Sequence, residues 1–124
     1  MRTLAVIAVL GMLILVGCQK IILVSVENQG DRVPTFVLKT SGKVELHSFM
    51  VFETTSDGKA TGTVWSIISE DGAPRNVSRI VYGIAPNGFK EANAAKPLHS
   101  GVTYNASASM PKGEGGGGVI FTVE

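Results

Sequence analysis

The chain is predicted to be all-β, a single small antiparallel β-sandwich of about seven strands. Three observations predict this. Apolar and polar residues alternate at period two through most of the chain. Gly, Asn, Asp and Pro clusters punctuate those runs at short spacing. Beyond the first eighteen residues, no stretch of helical length repeats its apolar positions every 3.6 residues.

Taken in order, residues 20–27 alternate Ile22, Val24 and Val26 on one face. Residues 35–40 set Phe36 and Leu38 against Val37. Residues 44–54 put Val44, Leu46, Met50 and Phe52 on one side and Glu45, His47 and Glu53 on the other. Residues 61–69 carry Val64, Trp65, Ile67 and Ile68, and residues 77–84 carry Ile80, Val81 and Tyr82. Residues 102–110 alternate Tyr104, Ala106, Ala108 and Met110 with Asn105, Ser107 and Ser109. Residues 119–124 end the sequence with Val119, Phe121 and Val123 inward. Between them lie Gln29-Gly30-Asp31, Ser41-Gly42, Ser56-Asp57-Gly58, Glu70-Asp71-Gly72-Ala73-Pro74 and Pro86-Asn87-Gly88. In such turns Gly supplies positive φ, while Asp and Asn bond their own backbone. Residues 91–96 are expected to form one helical turn before Pro97. One domain is expected, without repeats or a linker.

The first residues follow a different rule. Met1 and Arg2 precede an apolar run from Leu4 to Val16, interrupted only by the small residues Ala5, Ala8 and Gly11. The fifteen residues from Thr3 to Gly17 would span roughly 22 Å as a helix, short of the ~30 Å hydrocarbon core. Length and flanks fit a secretory signal rather than a spanning helix. The segment closes with Leu15-Val16-Gly17-Cys18, and Cys18 is the sole cysteine. This ending resembles the lipobox of bacterial lipoproteins. The resemblance implies cleavage before Cys18 by signal peptidase II, a thioether-linked diacylglycerol on its thiol, and usually an acylated amino group. Two or three acyl chains make such attachment effectively permanent. Residues 1–17 are then the signal peptide and residues 18–124 the lipid-anchored domain.

Composition agrees with that division. With Cys18 acylated, no cysteine remains for a disulfide, so the exported domain depends on its core alone. With Arg2 removed, ten basic side chains stand against ten acidic ones. A neutral, interspersed surface speaks against nucleic acid as the partner, and equally against a polybasic hold on anionic lipid.

Leu98-His99-Ser100-Gly101-Val102-Thr103-Tyr104 places a Leu six residues before a Tyr that opens a strand. This resembles the tyrosine corner of fibronectin type III domains, within the wider immunoglobulin-like sandwiches. Trp65 and residues 80–83 are similar to core positions of that family. The resemblance covers residues 61–123 and departs from the pattern at Ser100, where the family usually has Pro. It implies a hydrogen bond between the Tyr104 hydroxyl and the backbone just upstream.

Motifs for chemistry are sparse. Gly113-Glu114-Gly115-Gly116-Gly117-Gly118 has the spacing G-x-G-x-x-G, but a dinucleotide site needs a strand before it and a helix after it. Here a strand follows, so a flexible hairpin loop is expected. Gly115, Gly116, Gly117 and Gly118 are the candidate surface for close approach of a partner's backbone. Phe89 is the candidate exposed anchor, with a plug over the sandwich end as its competing role. His47 and His99 are far apart in sequence, without the convergent set a metal requires, and no metal or cofactor is expected. No serine lies in a G-x-S-x-G elbow, and Glu70 and Asp71 read as solvated turn charges.

The expectation is therefore a non-enzymatic envelope lipoprotein. Its β-sandwich binds or supports another envelope protein, and its acylated Cys18 holds the bilayer. A residue other than Asp after the cysteine favours the outer membrane in lipoproteins generally, and Gln19 fits; Lys20 leaves the inner membrane as the alternative. The competing functions are a small lipoprotein inhibitor of a hydrolase or a phage-exclusion factor, and then a periplasmic enzyme.

Overall fold

A computed structural model describes residues 20–55 and 57–124; the signal segment and Cys18 lie outside the described residues. The fold is all-β. Its strands are β1 (Lys20–Ile21), β2 (Leu23–Val26), β3 (Thr35–Lys39), β4 (Glu45–Leu46), β5 (Ser48–Thr54), β6 (Ala60–Ser69), β7 (Arg75–Asn76), β8 (Arg79–Val81), β9 (Phe89–Asn93), β10 (Thr103–Ser109) and β11 (Gly115–Thr122). Six strands form one sheet in the order β1-β11-β10-β5-β6-β9. Three form a second, β2-β3-β8, and β4 and β7 pair on their own. All pairings are antiparallel except that of β1 with β11, which is parallel.

The two larger sheets share one core because each strand turns its apolar parity inward. Phe36 on β3 meets Phe49 on β5 at a ring separation of 5.1 Å and Phe121 on β11 at 5.5 Å. Trp65 on β6 packs edge-on against Tyr82, just beyond β8, at 5.2 Å. Tilted and edge-on pairs of this kind match the ring quadrupoles as well as burying area.

All seven expected runs carry strand, and within two of them the pattern breaks where the chain changes sheet. Residues 44–54 are not one strand of constant phase. Val44 and Leu46 are buried, and so are Phe49 and Val51, so the inward parity shifts between them. The cause is His47, which separates β4 from β5. Its N–H donates to the Ser109 carbonyl and its carbonyl accepts from the Ser69 N–H, joining the main sheet one residue out of phase. Met50, expected inward, is 42 % exposed. Residues 20–27 similarly divide at Ile22 into β1 and β2 in different sheets.

The expected helical turn at residues 91–96 is absent. Residues 89–93 instead form an edge strand beside β6, held by Trp65 Nε1 donating to Glu91 Oε2 at 2.7 Å and Ser66 Oγ bonding Asn93 Oδ1 at 2.6 Å. An open β6 edge offers a ladder, which outweighs the local helix preference of Glu-Ala-Asn-Ala-Ala-Lys.

Candidate functional site

The glycine run is a strand, not a loop. The hairpin turn ends earlier, at Pro111–Gly113, and Gly115 to Gly118 form the first half of β11 between β10 and β1. None of these four has positive φ, so conformational freedom is not why they are glycine. The reason is space. A Cβ on Gly115 would be driven into the carbonyl oxygen of Lys20, and one on Gly117 into that of Ile22. On Gly116 and Gly118 it would lie 2.7 and 2.8 Å from the carbonyls of Ala108 and Ala106. The backbone that approaches this bare surface is the chain's own, residues 20–22 on one side and β10 on the other.

Residues 20–22 are tied down closely. Lys20 N–H donates to the Glu114 carbonyl at 3.2 Å, and Ile22 N–H to the Gly116 carbonyl at 3.1 Å. Thr40 Oγ1 donates to the Ile21 carbonyl at 3.0 Å, fixing the entry to the β3 end as well. Ile22 is buried in the core, whereas Ile21 and Leu23 are 68 % and 66 % exposed.

Phe89 is not an exposed anchor. Its ring is 5 % exposed and belongs to the core, because the Phe89 N–H closes a turn on the Pro86 carbonyl and the residue then pairs with Ser69. It also lies on the sheet edge opposite the glycine strand, so the two expected binding elements are not brought together. Ile84, five residues earlier in the chain, is the exposed one.

His47 sits beside Ser109 and Ser69, at the end of the sandwich where β1 enters. His99 sits at the other end, where its N–H donates to the Tyr104 hydroxyl at 2.9 Å. The expected Tyr104 hydrogen bond is thus present, with the backbone as donor. Among the described residues no group of three or more His, Cys, Asp or Glu could hold a metal, and no helix is long and apolar enough to cross a membrane. Asp71 has a turn-building task. It accepts from Ala73 N–H at 3.0 Å and Ser69 Oγ at 3.1 Å and pairs with Arg75 at 3.0 Å. The Ala73 N–H first, and then Ser69, hold its carboxyl below the usual range.

A shallow depression of about 330 Å³ opens at the His99 end, lined by Arg32, Val33, Tyr82, Lys96, Pro97 and Leu98 among others. Its floor is apolar and its rim carries two cations. Tyr82 belongs to this lining, and its hydroxyl is engaged. It donates to the Lys96 carbonyl at 2.7 Å, and burial pushes it up to about 12, with the Tyr104 and Glu91 charges adding to the effect. Local spacing gave no sign of this depression, because Arg32 and Lys96 meet only through the topology.

Charge is sorted by end. Around the β1 entry stand Lys20, Lys39, Lys43 and Lys112, with Glu45 and Glu114 as the nearby acids; all six are exposed. The rest of that end carries Glu70, Asp71 and Glu91 against Arg75 and Lys90. The opposite end carries Asp31, Glu53, Asp57 and Glu124 against Arg32, Lys59 and Lys96. No family model, curated protein or solved structure matches this chain.

Proposed function

We propose that this chain is a non-enzymatic lipoprotein of the bacterial envelope, tethered through Cys18, whose β-sandwich binds or supports another envelope protein. One observation carries the reading: Leu15-Val16-Gly17-Cys18 is followed, after the single residue Gln19, by a strand seated in its own glycine-lined bed. A domain built this way stands directly on its anchor. A partner would meet it at the loops away from the entry, where the depression between Arg32 and Lys96 opens.

The strand order supports the finer, immunoglobulin-like reading of the sandwich. In chain order β2, β3 and β8 take the places of strands A, B and E, and β5, β10 and β11 those of C, F and G. β6 then extends the six-stranded sheet beyond β5, and β9 belongs to the connection between E and F. The Tyr104 hydrogen bond supports the fibronectin type III resemblance in the same way.

The test has two arms. Cys18→Ser should abolish metabolic palmitate labelling and leave the precursor unprocessed; labelling equal to wild type would sink the tether. Affinity capture with the intact lipidated protein after membrane solubilisation should return a resident envelope complex. Recovery of a hydrolase, with its activity suppressed, would favour the inhibitor instead. Density-gradient fractionation decides the membrane, and the outer membrane is the expected one.

A further inference from the structure

We infer that the β1 end of the sandwich is itself a membrane-binding surface, which seats on a bilayer bearing anionic phosphate headgroups. The inference rests on the lipoprotein reading above and goes beyond it, because a lipid tether alone leaves the orientation of its domain free.

Reach comes first. Gln19 alone separates Cys18 from Lys20, and two peptide units span at most about 7 Å. Lys20 is fixed to Glu114 and Gly115, so the hairpin end that carries Lys112 is brought to the headgroup layer with it. The β3 end follows, since Leu23 pairs with Lys39 and Ile21 bonds Thr40.

What this end presents is amphipathic. Ile21 and Leu23 are the two most exposed large apolar residues among those described, and both flank the entry. Lys20, Lys39, Lys43 and Lys112 are exposed at the same end, with Lys39 paired to Leu23. Exposed aliphatic side chains beside lysines suit the boundary between acyl chains and phosphates, with the lysine stems lying along the apolar surface and their ammonium groups on the headgroups. Lys112 is exposed on the hairpin beside the entry. It is the one non-glycine among the described residues with positive φ, 54°, and it holds the tip of the β10–β11 turn where glycine would be favoured. Glu45 and Glu114 reduce the local charge without cancelling it. The neutral total expected from sequence therefore conceals a cluster of lysines at the entry, while the opposite end is nearly balanced.

Mature lipidated protein is added to vesicles of phosphatidylcholine alone or of phosphatidylcholine with one-third phosphatidylglycerol. After flotation, lysines are modified with an aqueous amine reagent and read by mass spectrometry. The expected result is flotation with both vesicles, and labelling of Lys39, Lys43 and Lys112 slowed at least threefold on the anionic ones. Lys59 and Lys96 should label equally on both. In a second arm, Leu23→Trp should show a blue-shifted emission quenched by brominated lipid more strongly on anionic vesicles. Lys39→Gln/Lys43→Gln/Lys112→Gln should float as before and lose that difference. Failure to float with neutral vesicles would overturn the tether and this inference with it. Flotation with equal labelling of all lysines on both vesicles would overturn this inference alone.

Discussion

At Gly117 the absent side chain is what lets Ile22 lie against β11. Gly117→Ala forces the Ile22 carbonyl away from its place, and overpacking of this kind typically costs roughly 1–3 kcal/mol. A urea midpoint equal to wild type would mean that the entry strand is not seated as described. Tyr104→Phe removes the acceptor of the His99 N–H and should cost about 0.5–1.5 kcal/mol with the strand signature unchanged. Trp65 is fully buried between Phe49 and Tyr82, and Trp65→Ala should cost about 3–5 kcal/mol through the cavity it leaves. Tyr82 also gives the fold an alkaline limit. Its hydroxyl is raised from the ordinary 10 to about 12, so the folded state prefers it protonated. That contribution is complete below pH 10 and declines as the pH rises from 10 towards 12. Tyr82→Phe should flatten this decline in urea titrations at pH 9 to 12.

Among the elements, β4 and β5 show how a sheet change governs which side chains are spent on the core. Because His47 shifts the phase, Phe49 rather than Met50 points inward. Phe49→Ala should therefore cost about 3–5 kcal/mol, whereas Met50→Thr should stay within about 0.5 kcal/mol of wild type. Comparable losses for the two would contradict the register. Period two revealed where β3, β10 and the end of β11 run and which of their residues are buried, since each stays in one sheet along its length. It missed the phase break at His47, because alternation carries no mark of a strand leaving one ladder for another. It missed β9 because an edge strand with one buried residue, Phe89, has almost no apolar pattern to read. The glycine run defeated it for the same reason: a strand of residues without side chains has no parity.

In the whole molecule, topology does what composition conceals. The balanced charge resolves into a cluster of lysines at the entry and a nearly balanced end opposite it, and Arg32 and Lys96 become the rim of one depression. Neither fact has a local signature, because the partners lie far apart in sequence. The candidate site was legible only in part. Gly115 to Gly118 read as a flexible loop open to a partner's backbone, whereas they form a strand whose close neighbours are residues 20–22 and β10 of the same chain. After the turn at Pro86-Asn87-Gly88, Phe89 reads either as an exposed anchor or as a plug over the sandwich end, and its burial excludes the anchor. Everything proposed about function depends on what is attached at Cys18. Intact-mass spectrometry of the protein extracted from membranes tests that most directly. The account predicts a chain of residues 18–124 carrying a diacylglyceryl group and a further acyl chain; a chain that retains residues 1–17 with a free Cys18 thiol would contradict it.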